Sequence, residues 1–202
     1  MDNIEIKSLF DVEDFYQKDL LNKHLYPWEV ISALDAYVDE LAGGEKIIMG
    51  EGSSIDPSAK VEGKVIVGKN VTICDGVLIR GNCIIGDNVR VGHCVELKHS
   101  VIMNNTALSH FNYVGDSIVG NNVNIGGGAI VANWRFDKKN IMIKLENEKI
   151  DTGLEKFGAA IGDRSSIGVN SVLNPGTILG KSSTVYPLVS VSGVNSSGSV
   201  LK

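Results

Sequence analysis

Aliphatic residues recur every six positions along most of this chain. From Ile55 they fall at 61, 67, 73, 79, 85, 91 and 97; a five-residue step reaches Ile102, then 108 and 114, and a second such step gives Val119, then 125 and 131. The phase resumes at Ile161 and runs through 167, 173, 179, 185 and 191, so that twenty positions are all Ile, Val or Leu. Four residues after each stands mostly a small or β-branched residue, as at Val65, Val71, Cys83 and Thr177, and glycine often follows the aliphatic directly, as at Gly68, Gly92 and Gly162. A helix of period 3.6 cannot keep this pattern, and simple alternation does not require it. A short strand, a turn and another short strand satisfy it, each aliphatic side chain pointing into a common prism.

Residues 1–50 read differently. Pro27 suits the first position of a helix, Ile31, Leu34, Val38 and Leu41 follow at helical spacing, and Gly43-Gly44 ends it. The pattern predicts an N-terminal helical segment that caps the first turn of the repeats, because an uncovered solenoid end exposes apolar rungs and strand edges. The repeat domain spans 51–192. Within it, residues 132–160 leave the coil and return in phase, with a basic stretch (Arg135, Lys138, Lys139, Lys144) and an alternation of Ile141, Ile143 and Leu145 that predicts a small hairpin. The Ser- and Gly-rich tail, 193–202, is expected to be mobile.

At 202 residues the chain can hold one domain with a real core and a small appendage. Only 6% of residues are aromatic and 23 are glycine, which implies an aliphatic core with tight turns. The net charge of −5 argues against a nucleic-acid binder but leaves room for an anionic small ligand held by a local basic cluster. Cys74, Cys83 and Cys94 form no C-x-x-C pair, so no metal site is signalled and reduced thiols in the cytoplasm are expected. No apolar run approaches the length that spans a bilayer, and Met1–Glu5 carries no export signal, so a soluble protein without membrane partners is expected.

The hexad resembles that of the left-handed parallel β-helix, whose coils of three hexads would stack residues 18 apart. Arg80 and Lys98 then lie one above the other on one side, His93 and His110 on the next, with Tyr113 near the corner between them and Asp116 one coil higher. Cations a strand spacing of about 4.8 Å apart repel unless an anion or a carboxylate lies between them. The count therefore leaves two possibilities, of which an anion site is the one favoured here and neutralisation by Glu96 or Asp116 the other.

At three hexads to a coil, twenty hexads would make six to seven coils. Lys98 through Asp116, Asn122 through Gly128, and Asn133 more specifically resemble the acetyltransferase domain of glucosamine-1-phosphate acetyltransferase, often fused behind an N-acetylglucosamine-1-phosphate uridyltransferase. The stretches Asn133–Asp137 and Asp151–Gly158 are similar to the archaeal-type sugar-phosphate nucleotidyltransferase/acetyltransferases. The resemblance implies an all-β, left-handed β-helix that transfers acetyl from acetyl-CoA to an amino-sugar 1-phosphate, as a homotrimer and without a required metal. It implies His110 as general base, Arg80 and Lys98 on the phosphate, Tyr113 and Asn124 on the sugar, and Lys139 reaching in from the loop. Asn133 and Trp134 would hold the acyl donor, with the Gly127 N–H steadying the oxyanion and Val169 and Pro187 near the CoA. Trp134, Val169 and Pro187 depart from the family's residues there, which leaves a second reading, a non-catalytic sugar-phosphate or nucleotide-sugar-binding trimer. No nucleotide-binding signature precedes the repeats, so nucleotidyl transfer is not expected. A third reading, a hydratase of the carbonic anhydrase type, would need a third ligand beside His93 and His110, and His99 counts onto a different face.

Overall fold

The computed structural model describes residues 4–202. The stretch read above as lacking an export signal begins in residues 1–3, outside the described residues. The period of six becomes three parallel sheets of eight, eight and seven strands, here faces A, B and C of a left-handed β-helix. Each strand pairs with the one a coil away, as in Val65↔Cys83 on face A, Thr72↔Arg90 on face B and Leu78↔Glu96 on face C. The two five-residue steps shorten a coil without breaking register: Ile85 pairs with Ile102, and Ile102 with Val119. The twenty aliphatics line the interior, with Ile55 and Val61 only partly buried near one end. At the turn from A to B the backbone enters the left-handed region. Asparagine, which tolerates it, occupies that place at 70, 88, 105 and 122.

Two expected boundaries move. Ile47–Met49 already pairs with Val65–Val67, and the tail forms strands Val194–Asn195 on face A and Val200–Leu201 on face B, so it belongs to the coil rather than being a loose end. Its side chains hide the repeat, yet its backbone completes the ladder: the N–H groups of Ile178 and Thr184 donate to the carbonyls of Gly193 (2.9 Å) and Ser199 (2.8 Å). The coils therefore outnumber the six to seven expected.

The N-terminal segment does not cap the end of the prism. Helices α1 (Ile6–Leu9), α2 (Lys18–Asn22) and α3 (Pro27–Ala42) lie along face A. The reason is a ladder of outward-pointing apolar residues stacked in register: Ile66, Ile84, Val101, Ile118, Ala160 and Ile178. Left bare, each large aliphatic would forgo about 1.5–3 kcal/mol of burial. Trp28, Ile31, Leu34 and Val38 of α3 cover the ladder, joined by Phe157 and by Ile141 and Ile143 of the hairpin. That hairpin is the expected one, Met142–Lys144 running antiparallel to Lys149–Asp151. Helix α3 starts where the sequence places it, with Glu29 accepting from the N–H groups of Tyr26 (2.9 Å) and Leu25 (2.8 Å). Leu41, expected on its apolar face, is instead 47% exposed.

A polar latch holds the segment before α2 to the edge between faces A and B. The Asp11 N–H donates to Oδ2 of buried Asp163 (2.6 Å), while Asn121 N–H donates to Oδ1 (2.7 Å). The Asp11 carboxylate faces Lys181 and Arg164, which together hold its pKa down to about 2. Burial pushes the Asp163 carboxyl up.

Candidate active site on two edges of face C

The turn from face B to face C carries one column of candidate residues. His93, His110, Gly127, Val169 and Pro187 sit on successive coils there. A ladder ties them: the N–H groups of Phe111, Gly128, Asn170 and Leu188 donate to the carbonyls of His93, His110, Gly127 and Val169, each at 3.0 Å. The proposed base and three of the proposed acyl-donor contacts thus share one edge. His110 is exposed, and its ring lies over Gly127, where an added Cβ would stand 2.5 Å from Nε2. Buried Asn112 fixes this turn by donating to the carbonyls of Gly126 (2.7 Å) and Ala129 (3.2 Å). The Gly127 N–H takes no part in the backbone ladder among the described residues.

The opposite edge, from face C to face A, carries Arg80, Lys98, Asp116 and Asn133. Arg80 and Lys98 stack in register as counted, but each has a carboxylate. Arg80 Nε donates to Glu96 Oε1 (2.6 Å), and Lys98 Nζ donates to Asp116 Oδ2 (2.7 Å). Neutralisation, the second possibility left by the count, is what these pairs supply, because the coil above carries the carboxylates.

Asp116 is the hub of this edge. Its carboxylate, 6% exposed, also lies 3.0 Å from His99 Nδ1 and accepts from the Asn133 side chain. Burial opposes its ionisation, but the bonds from His99, Lys98 and Asn133 outweigh burial and hold the carboxyl below the usual carboxylate value. His99 Nε2 in turn lies 3.4 Å from Asp35 of α3. Tyr113, on face C between the two edges, folds its hydroxyl over Gly115, where a Cβ would stand 2.5 Å from Oη and 2.8 Å from Asn133 Nδ2. Burial, with the Asp116 charge beside it, raises the Tyr113 phenol.

No hydrogen bond or ion pair joins His110 to Arg80 or Lys98 among the described residues; the single cleft expected from the coil count is two edges of one face. Asn124 lies exposed on face B, paired in register with Ala107 and Ser166. Lys139 lies exposed in the loop, its N–H 3.4 Å from Asp137 Oδ1. Trp134 is 47% exposed at the neck of that loop, bridged to Lys156 and overlain by Lys138. With Phe136, Asn174 and Pro175 it lines a cavity of about 360 Å³. Sequence reasoning placed His99 only on a face away from His93 and His110 and gave Phe111 no role, although the stacking count that paired Arg80 with Lys98 also sets His99 above Gly81 and Phe111 above Cys94. No trio of donors able to hold a metal gathers around His93 and His110 among the described residues. No helix there is long and apolar enough to cross a membrane.

Residues 78–196 match the family described as the GMPPB C-terminal domain, and residues 46–81 match the bacterial transferase hexapeptide (six repeats). The bifunctional sugar-1-phosphate nucleotidylyltransferase/acetyltransferase of Sulfurisphaera tokodaii is 39% identical over 98 residues, 48% of this chain and 24% of that protein. A bifunctional protein GlmU of Methanococcus maripaludis is 37% identical over 172 residues, 79% of this chain and 42% of its own length. The chain thus spans less than half the length of these relatives. The UDP-N-acetylglucosamine acyltransferase of Francisella novicida shares the fold, with a TM-score of 0.50 at 14% identity over 76% of this chain and 65% of its own.

Proposed function

The chain belongs to the GMPPB C-terminal domain family, and we propose that it is an acetyl-CoA-dependent N-acetyltransferase acting on an amino-sugar 1-phosphate. The observation that carries the reading is the column of His110, Gly127, Val169 and Pro187 on one solvent-facing edge, with the Gly127 N–H, which has no acceptor among the described residues, beside the imidazole. His110 accepts a proton as the sugar amine attacks the thioester carbonyl; a histidine suits this task near neutral pH. The Gly127 N–H donates to the oxyanion of the tetrahedral adduct. The C–S bond then breaks and CoA departs as the thiol, taking up the proton.

Phosphate binding falls to N–H groups left over at Arg80 and Lys98, since each cation already faces a carboxylate. Such a site relies on hydrogen bonds more than on net charge, so affinity should fall only weakly with salt. Tyr113 and Asn124 hold the sugar, with Lys139 reaching in from the loop, while Asn133 and Trp134 frame the donor. Among the described residues the His110 edge has no facing wall, and Phe111 (58% exposed) and Leu188 (78%) stand on it bare. A second copy in a homotrimer supplies that wall.

The test is thiol release from acetyl-CoA with glucosamine 1-phosphate. His110→Ala should lower the rate by about 100- to 10,000-fold. Absence of CoA release by the unaltered protein with either glucosamine or galactosamine 1-phosphate would refute the reading.

A further inference from the structure

On the C-to-A edge a buried ring nitrogen lacks a partner. His99 Nδ1 lies 3.0 Å from Asp116 Oδ1, and an ionised carboxylate can only accept, so Nδ1 carries a proton. Nε2 of the same ring is buried and has no hydrogen-bond partner among the described residues. Buried polar atoms are rarely left this way. The Asp35 carboxylate of α3 stands 3.4 Å from Nε2, outside hydrogen-bond geometry and 67% exposed. A neutral ring with its proton on Nδ1 presents only a lone pair there, and two acceptors cannot bond each other.

The fold prepares this meeting. His99 adopts φ 47 at the turn and sits over Gly81, where an added Cβ would stand 3.3 Å from the His99 Cβ. Beside Gly81, Asn82 holds the same flank of α3, donating to the Asp35 carbonyl and to Asp39 Oδ1, both at 3.3 Å. One coil lower, Lys64 pairs with Asp39 at 2.8 Å. The other titratable groups around the ring are Lys98 and Tyr113, both beside Asp116, and the buried Cys83 thiol near the His99 backbone N–H.

We propose that His99 is a protonation-gated clasp between helix α3 and the C-to-A edge. When Nε2 takes up a proton it becomes a donor, and the exposed Asp35 side chain turns to accept from it. The ring then bridges the carboxylates of Asp116 and Asp35. When the proton leaves, that bond is lost and Asp35 returns to solvent. Histidine is the side chain suited to such a change between about pH 5 and pH 8. The clasp does not depend on the acetyl transfer proposed above.

The test follows amide hydrogen exchange of the full chain by mass spectrometry, over peptides covering residues 33–42, at about pH 8 and about pH 5.5. Protection is taken relative to the unfolded-chain rate at each pH. In the unaltered protein it should rise on acidification by roughly two- to fivefold, the effect expected of a pair with one exposed partner. His99→Asn suits φ 47 and keeps a donor for Asp116 but lacks Nε2, so it should abolish the rise. Asp35→Ala, at an exposed helix position, should abolish it too; Ala favours the helix equally at both pH values, so the difference between them is unaffected by propensity. His24→Ala, just before α3, should leave the rise intact. No rise in the unaltered protein, a rise that survives either of the first two substitutions, or one lost in His24→Ala would overturn the proposal.

Discussion

Replacing Asp116 by Asn isolates the electrostatics of the C-to-A edge. Asp116 sits at φ 46, where Asn is as well tolerated as Asp, and its N–H still donates to the Lys98 carbonyl at 2.8 Å, so the turn itself is not disturbed. The charge is lost, however, and an amide offers one acceptor where three donors converge: Lys98 Nζ, His99 Nδ1 and Asn133 Nδ2. Hydrogen bonds to charged groups are worth about 1.5–3 kcal/mol each, and stripping one partner from a buried pair costs about 3–5 kcal/mol. Lys98 keeps 20% of its side-chain exposure and can recover some hydration, which places the expected loss at about 3 kcal/mol, or roughly 150-fold in the folding equilibrium. Urea unfolding followed by tryptophan fluorescence measures it. The sign with pH is set by a carboxyl held below its ordinary value. Its stabilisation is complete above the unfolded value of about 3.9 and disappears as pH falls through the folded value. The stability gap between the original protein and Asp116→Asn should therefore close on acidification below about pH 4. A gap under about 0.5 kcal/mol at pH 7, the size expected of an ordinary surface substitution, or one that does not shrink in acid, would refute the hub.

Gly127→Ala should cost about ten- to 100-fold in acetyl transfer with melting temperature almost unchanged, since its Cβ would displace His110 Nε2 rather than strain the backbone; steady-state kinetics beside thermal melts would show it, and full activity would contradict the placement of the base. Asp163→Ala should cost about 2–4 kcal/mol by leaving the N–H groups of Asn121 and Asp11 without their acceptor. It should also open the Asp11–Gln17 stretch to limited proteolysis, and an uncut, equally stable variant would remove the latch. With its carboxyl raised by burial, Asp163 has the opposite pH sense to Asp116: its contribution to stability grows as pH falls through the raised value.

The period of six by itself determined the prism and its filling, because an aliphatic at every sixth residue has no other regular conformation in which all twenty side chains meet. With three hexads to a coil it also fixed which residues stack; Arg80 below Lys98 and His93 below His110 both follow from counting. The hairpin and the start of α3 were equally legible, because alternation and the Pro27 signal act locally. What lies outside the prism was not. A period says nothing of what an outward side chain meets, and only the folded chain lays the helices against Ile66, Ile84 and Val101 instead of over an end. That apolar ladder does leave a trace, an aliphatic just before every third hexad position, which becomes meaningful once the faces are assigned. Whether stacked cations face a ligand or a carboxylate depends on the residues of the adjoining strand and on rotamers chosen in competition with their neighbours. For that reason the pairing of Arg80 with Glu96 and of Lys98 with Asp116 became visible only in three dimensions.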